Sequence, residues 1–532
     1  MNIFYENHPR YFIVTAIASS TGLVTAAFFW PQISIFWLLV GPYIIVGWRD
    51  MTQTKRTLLR LYPVIGHFRY FSESIRPEIQ QYFVEDDTSG MPVNREFREL
   101  IYQRAKGVQD TRPFGTIFDT YRIGYEWTAH SLSPKPIPAE QTRVLIGANR
   151  CKQPYAASRF NISAMSYGAL SSHAIRALNR GAQIGGFYHN TGEGGLSPYH
   201  LMEGGDLVWQ IGTGYFSCRN LNGEFDAELF TEKSQNPQIK MIEVKLSQGA
   251  KPGHGGVLPG SKVTQEIAEI RVVDIGKDVL SPPAHSAFSS PRGLLEFVTK
   301  LRTLSGGKPV GFKLSIGQKS EFIAICKAMV ETELYPDFIT VDGGEGGTGA
   351  APVEFTNSVG MPLREALSFV HNTLMGFGIR KEVKLIASGK AFTAFHIIRL
   401  LALGADLVNS ARGMMFALGC IQSRHCHMDT CPTGIATQNP KRYKALNIED
   451  KSQRVARYQT SIIHNLMELV SAMGLSCPSE IEPRHLMRRV SAQEVASFDD
   501  IFPCIETNCL KQESTVPTSV LKDWRLARSD QW

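Results

Sequence analysis

Three cysteines at short spacing, Cys420, Cys426 and Cys431, are followed at once by Pro432. Thiolates at such intervals on an irregular segment can converge on one iron–sulfur cluster, and a proline after the last cysteine suits such loops. With only three close together, a three-iron cluster fits better than the four-thiolate types. Zinc competes, because His425 and His427 offer a fourth ligand for a Cys₃His set. Buried, inert cysteines are the third reading. Spacing leaves iron–sulfur and zinc open.

A second constellation is the run Asp342-Gly-Gly-Glu345-Gly-Gly-Thr348-Gly349-Ala-Ala-Pro352. Glycines let backbone approach an anion and aim several N–H groups at it, as a phosphate requires. The Lys-Ser/Thr ending of a P-loop is missing, and the run leads to a proline rather than into a helix. Triphosphate and dinucleotide chemistry are therefore disfavoured. Two further small-residue turns follow, Ser388-Gly389-Lys390 and Ser410-Ala411-Arg412-Gly413. Together the three make an anion cradle, with Arg412 supplying charge. The single phosphate of flavin mononucleotide (FMN) suits it, held by Gly346, Gly347, Thr348, Gly349, Gly389, Ala411 and Arg412. Lys245 and Lys313 are placed to stabilise an anionic reduced flavin ring; the bland alternative is that both reach solvent or pair with carboxylates.

These residues need elements to position them. From Asn161 onward, short β-rich runs end in glycine-rich turns and alternate with helical stretches. Eight strands are expected: Phe160–Ser166, Gly186–Gly192, Leu207–Gly212, Ile242–Gln248, Val310–Ser315, Asp337–Asp342, Val383–Ser388 and Asp406–Ala411. Helices are expected over Ser171–Gly181, Lys262–Arg271, Pro291–Leu304, Ser320–Thr332 and Phe392–Leu403. Strand–helix alternation argues a parallel sheet, and eight repeats match a closed (β/α)8 TIM barrel; an open doubly wound sheet is the alternative. Phosphate sites in such barrels lie at the late loops, where the cradle falls. Residues 51–150 read as helical and irregular, and residues after 440 as helices packed outside with a polar tail.

The N-terminus carries two uncharged stretches, Tyr11–Trp30 and Ile33–Trp48, with Pro31 between them. The first is long enough to cross a bilayer as one helix. A signal peptide and a buried core hairpin are the rival readings. Tyr11, Trp30 and Trp48 at the ends of the runs favour a membrane interface. Arg10 precedes the first run and Arg49, Lys55, Arg56 and Arg60 follow the second, while the connecting turn has no Lys or Arg. The positive-inside rule then predicts a transmembrane hairpin in the cytoplasmic membrane, with the catalytic body facing the cytoplasm.

Over 532 residues, 43% hydrophobic and 20% charged content describe a folded protein with a sizeable core. A net charge of +7 without a basic helix argues against nucleic acid. Nine irregularly spaced cysteines are no disulfide scaffold and suit a reducing compartment.

The segments Ser163-Ala-Met-Ser-Tyr-Gly-Ala-Leu-Ser171, Asn190-Thr-Gly-Glu-Gly-Gly195, Gln248-Gly-Ala-Lys-Pro-Gly253, Gly346-Gly-Thr-Gly349 and Cys431-Pro-Thr-Gly-Ile-Ala-Thr-Gln438 resemble, in the same order, the FMN-binding synthase domain of glutamate synthase. Tyr62-Pro-Val-Ile-Gly-His-Phe-Arg69 and Ser74-Ile-Arg-Pro-Glu78 resemble the stand-alone, membrane-anchored members of that family. The resemblance implies FMN in the barrel mouth and a [3Fe–4S] cluster on Cys420, Cys426 and Cys431, against zinc. It places the backbone of Ala164, Met165 and Ser166 beside the flavin ring, with Gln210, Lys245 and Lys313 nearby. It puts Lys251, Arg271 and Glu193 at 2-oxoglutarate or catalytic contacts.

The chain departs from the family where Gly-Glu-Gly-Gly-Gln reads Gly253-His254-Gly-Gly-Val257. Val257 removes a polar group where full-length enzymes contact 2-oxoglutarate. The N-terminal glutaminase domain has no counterpart, since the first cysteine is Cys151. The expectation is reductive amination of a 2-oxo acid, first 2-oxoglutarate to L-glutamate, with ammonia or an amine as nitrogen source. Electrons would come from a ferredoxin-like or flavoprotein partner. Rival readings are a membrane-tethered electron carrier and a related amine–glutamate synthase. The expected divisions are an anchoring hairpin (1–50), an extension (51–150), the synthase barrel (151–440) and a C-terminal extension (441–532).

Overall fold

In this computed structural model, which describes residues 8–108 and 111–532, all eight expected strands form and close into one parallel barrel. They are β1 (Phe160–Ile162), β2 (His189–Asn190), β3 (Leu207–Ile211), β4 (Ile239–Lys245), β5 (Val310–Leu314), β6 (Phe338–Asp342), β7 (Lys384–Ser388) and β8 (Leu407–Ser410). Each pairs with its sequence neighbour, and β8 returns to β1 through Val408–Phe160, Asn409–Asn161 and Ser410–Ile162. The open-sheet alternative is thereby excluded. Most strands stop one or more residues before their expected ends, because the polar and glycine residues there turn outward into the loops at the barrel mouth.

β3, β5 and β6 are buried along their whole length, as expected of parallel strands covered on both faces. At the N-terminal end, a hairpin of Arg143–Ile146 with Tyr155–Ser158 closes the barrel. Its Val144, Ile146, Tyr155 and Ala157 join Val208, Met241, Phe338, Ile386 and Leu407 in one buried cluster. The barrel is thus plugged below, and its C-terminal face is the one at which barrels of this kind carry their sites.

The chain divides into two units, Met1–Arg95 and Glu96–Trp532. In the first, α1 (His8–Phe29) and a second helical run (Pro31–Thr52) are both long and apolar enough to cross a membrane; α2 (Trp37–Thr52) is the α-helical part of the second. They touch through the Phe12 and Tyr43 rings, 5.2 Å apart, and through the Thr15 and Tyr43 hydroxyls at 2.7 Å. A Cβ on Gly47 would fall within 2.0 Å of the Phe12 ring, so glycine is what admits that ring. α3 (Gly66–Ile79) follows.

In the second unit, α4 (Ser172–Gly185) packs against a long C-terminal helix, α5 (Ile448–Ala472). A side chain on Gly181 would meet Val455 at 2.7 Å, so the helices approach closely there. Beyond α5 the chain is not purely helical, and its last residues are no simple polar tail. Leu486–Arg489 and Val495–Ser497 join Glu126–Thr128 in a three-stranded antiparallel sheet, and Thr518–Leu526 is helical. Glu126 in that sheet takes Arg364, Arg399 and Arg488, tying the extension to the barrel's outer helices.

Candidate functional site at the barrel mouth

Four charged groups from two loops, a strand end and a helix end converge at the mouth. Glu193 follows β2, Lys245 ends β4, Lys251 lies on the loop after β4, and Arg271 ends the helix Gln265–Arg271. Lys245 Nζ is 2.7 Å from Glu193 Oε1. Burial pushes the Glu193 carboxyl up, but Lys245, Lys251 and Arg271 together more than offset it, and the group is held below its ordinary range. Burial lowers Lys251 to about 8, with Glu193 opposing the fall and Lys245 adding to it. Arg271 is lowered by burial to about 10, again with Glu193 opposing. Three cations thus face one carboxylate, an excess of positive charge that suits an anionic substrate.

Glycines make room for this cluster. A Cβ on Gly194 would lie 2.5 Å from an Arg271 guanidinium nitrogen, and one on Gly256 3.0 Å from the Glu193 carboxyl carbon. Arg271 lies over the Phe216 ring at 5.1 Å and donates to the Tyr167 carbonyl at 3.0 Å. Its Nε is buried without a partner, as are Gln248 Nε2 and Ser315 Oγ on the loops after β4 and β5. Buried donors left open around one cleft are what a site for a polar ligand presents.

The remaining expected flavin contacts gather at the same face. The backbone of Met165 and Ser166 is clamped on Gly192, where a Cβ would come within 2.9 Å of Ser166 N. Ala164 and Ser166 stay half-buried, and the Met165 carbonyl accepts from His200 Nε2 at 3.1 Å. Lys313 lies 3.4 Å from Asp342, whose same oxygen accepts the Gly249 N–H at 2.8 Å. In the expected cradle, Arg412 donates to the Glu345 carbonyl at 2.6 Å, and a side chain on Gly347 would meet its Nε at 3.0 Å. Gly347, Thr348 and Gly349 are exposed, Gly346 is half-buried, and Gly389 and Ala411 border the cradle from β7 and β8. Two lysines beside open donors, and a glycine loop under an arginine, fit a ring with alternating donors and acceptors and a phosphate tail.

Gln210 is used differently. Its amide donates to Glu243 Oε1 at 2.7 Å, the same oxygen that accepts from Asn190 at 2.8 Å, while the Thr340 hydroxyl donates to Oε2 at 2.5 Å. Glu243 is a buried carboxylate on β4 inside the barrel, satisfied from three other strands at once, and sequence reasoning passed over it. The signal was available: one acid in the otherwise apolar run Met241-Ile-Glu-Val. His285 was also missed. It donates from Nε2 to the Lys245 carbonyl at 2.8 Å and accepts the Tyr215 hydroxyl at 3.0 Å, and burial lowers it to about 4. A neutral imidazole therefore holds the strand end that carries Lys245. No motif marks it.

The cysteine segment lies alongside. A Cβ on Gly349 would be 4.0 Å from Cys426 Cβ, so the glycine loop and the thiols are neighbours. Burial raises Cys420 to about 12, with Cys426 and Cys431 adding to the rise, and raises Cys426, with Cys431 adding. Burial also acts on Cys431, but hydrogen bonds from Thr433, Ala436 and Ile435 outweigh it and favour its thiolate. Among the described residues, no three His, Cys, Asp or Glu side chains already sit in a metal-holding group. The donor set of three mutually interacting thiols, one of them ringed by N–H donors, still fits an iron–sulfur cluster.

The flavin-side and cysteine-side loops are stitched together. Lys262, 2% exposed, donates to the carbonyls of Ala169 (3.1 Å) and Ala436 (3.0 Å). Ser171 donates to Ile435 and Gly434 carbonyls, and Gln438 to those of Gly168 and Leu170.

The chain is similar to known proteins along most of its length. The conserved region in glutamate synthase matches residues 124–476. The glutamate synthase large subunit-like protein YerD of Bacillus subtilis is 38% identical over 511 residues, covering 88% of this chain and 97% of that protein. An archaeal-type glutamate synthase [NADPH] of Thermotoga neapolitana is 35% identical over 335 residues, 62% of each chain; the match thus spans about three fifths of that relative. Among solved structures, a mandelate oxidase with (S)-2-phenylpropionate covers 75% of this chain and 97% of its own, at 13% identity and TM-score 0.40.

Proposed function

Because this chain belongs to the glutamate synthase family, we propose that it is an FMN- and iron–sulfur-dependent oxidoreductase that reductively aminates a 2-oxo acid, first 2-oxoglutarate. The convergence of Lys245, Lys251 and Arg271 on Glu193 at the barrel mouth carries this reading. When bound, FMN supplies hydride to an imine carbon and a [3Fe–4S] cluster supplies electrons singly. Ala164, Met165, Ser166, Lys245 and Lys313 would hold the flavin ring. Gly346, Gly347, Thr348, Gly349, Gly389, Ala411 and Arg412 would hold its phosphate, and Cys420, Cys426 and Cys431 the cluster. Gln210 would act through Glu243, fixing β3 and β4 beneath the ring.

Lys251 and Arg271 orient the substrate carboxylates, which their excess positive charge attracts. Glu193 supports the protonated form of both in a buried setting, and its carboxylate would accept a proton from the incoming nitrogen. The electron donor is a ferredoxin-like or flavoprotein partner, and nitrogen comes from ammonia, an amine or a separate glutaminase.

The two N-terminal helices are proposed as an anchor in the cytoplasmic membrane with the barrel on the cytoplasmic side, supported by their length and flanking cations. Divisions at about residues 50, 150 and 440 remain part of this reading. The test is an anaerobic screen in which dithionite-reduced protein meets 2-oxo acids with ammonia or amines. Flavin reoxidation only with a dicarboxylic 2-oxo acid plus a nitrogen donor supports the proposal; reoxidation by none leaves the electron-carrier reading.

A further inference from the structure

The helix that follows the hairpin is built to lie on a surface. On α3 and the π-helical turn Gln80–Val84 that continues it, Phe68, Phe71, Ile75, Ile79 and Tyr82 recur at spacings of three and four. At about 100° per residue that spacing puts all five on one arc. Four of them are exposed, Phe68 by 73%, Phe71 by 59%, Tyr82 by 53% and Ile79 by 44%. The opposite face is the one that packs. Gly66 rests on Leu59, where a Cβ would come within 2.9 Å, and Arg56 lies 4.7 Å over the Tyr70 ring. The apolar arc therefore points away from the elements that hold the helix.

We propose that this arc lies in the headgroup layer of an anionic lipid bilayer, as an in-plane contact beside the hairpin; this rests on the membrane reading above. Two observations choose lipid over a second copy of the chain. The arc is continuous in sequence with the two apolar helices and separated from them only by the basic stretch Arg49, Lys55, Arg56 and Arg60. Arg76 and Arg69, the latter paired with Glu73 at 3.0 Å, fall together at one edge of the arc, where their stems can follow apolar surface while the Arg76 head meets lipid phosphates. From residue 49 to 78 six Lys and Arg face three acids, Asp50, Glu73 and Glu78, an excess an anionic leaflet attracts.

The test uses the full chain in phosphatidylcholine–phosphatidylglycerol vesicles carrying a phospholipid with a photoreactive acyl chain. Lipid adducts are mapped by peptide mass. The expected result is adducts on Phe68, Phe71, Ile79 or Tyr82 as well as on α1 and α2. In the variant Phe68→Glu/Phe71→Glu/Ile79→Glu, adducts from residues 66–84 should fall about tenfold, since charge opposes interfacial burial, with those on α1 unchanged. Phe71→Leu should keep them. Adducts on α1 and α2 with none between residues 66 and 84 overturn the inference and leave the anchor standing. Release of unlabelled protein by alkaline washing overturns the anchor itself. Crosslinks between two copies through a photoreactive residue at position 71, in place of lipid adducts, overturn it in favour of self-association.

Discussion

The Lys245 ammonium lies 2.7 Å from the Glu193 carboxylate at the mouth of the barrel, and that pair sets the charge of everything beside it. Both are largely withdrawn from water, so neither is screened as a surface pair would be. Glu193 is the one acid that Lys251 and Arg271 also feel, and it holds both closer to their ordinary protonation. The same arrangement that draws in a carboxylate substrate therefore depends on one resident carboxylate.

A pH dependence follows for Lys251. Burial depresses it from 10.5 to about 8, so it carries its proton below that pH and loses it above. A bound substrate carboxylate favours the protonated form. Above pH 8, KM for the 2-oxo acid should rise by about tenfold per pH unit while kcat holds. Glu193→Gln removes the charge that supports Lys251 and should move the inflection to lower pH. A kcat/KM profile flat through this range would take Lys251 out of substrate binding.

Glu243 is expected to matter for stability. Replacing it by Leu leaves the side chains of Asn190, Gln210 and Thr340 without their acceptor inside the barrel. Orphaned buried donors cost about 1–3 kcal/mol each before relaxation, so a loss of about 3 kcal/mol is expected. Urea unfolding of the variant beside the parent measures it; a loss below about 1 kcal/mol would mean that the interior relaxes around the change.

The barrel was legible because its evidence is local: β-rich runs alternating with helices, repeated eight times. Glu243 was not, because its partners come from β2, β3 and β6, and only closure of the barrel brings them to β4. The sheet that joins Glu126–Thr128 to Leu486–Arg489 is the same case more severely. Strands of three and four residues carry almost no periodicity, and their pairing partner is hundreds of positions away. The site shows the same division. Lys245 and the glycine loops announce themselves in sequence, whereas His285 acts through the Lys245 backbone carbonyl and leaves no motif.

For the cysteine segment, replacing Cys420, Cys426 or Cys431 by Ser should abolish an iron-dependent paramagnetic signal and leave bound flavin largely in place. The flavin contacts proposed above come from other loops, which is why the two effects should separate. Stoichiometric zinc and no iron in anaerobically purified protein would reverse the assignment.

Removing residues 1–50 should move the protein from the membrane to the soluble fraction with its flavin retained. Gly47→Leu should leave it membrane-bound but loosen the hairpin, because the new side chain occupies the space of the Phe12 ring. Protease accessibility of the Trp30–Pro31 turn reads that loosening. Full-strength membrane association of the truncated protein after alkaline washing would place the anchor elsewhere.

The substrate prediction turns on Val257. It lies half-buried in the short strand Val257–Leu258, directly after Gly256, whose α-carbon faces the Glu193 carboxylate. Leu258 reaches the same space as Arg271, since both would crowd a Cβ on Gly168. Val257 itself alternates onto the other face of that strand, with its register partner Leu280, and valine offers a substrate no hydrogen bond. Val257→Gln supplies a donor where the family's full-length members carry glutamine. One added hydrogen bond to a charged ligand is worth about 1.5–3 kcal/mol, so KM for 2-oxoglutarate should fall about tenfold or more. Arg271→Ala removes a buried guanidinium with an open Nε and should nearly abolish turnover while sparing flavin reduction by dithionite. If 2-oxoglutarate with ammonia never reoxidises the reduced flavin, and Val257→Gln changes nothing, glutamate formation is the wrong reaction. The barrel would stand regardless, since it rests on its eight paired strands.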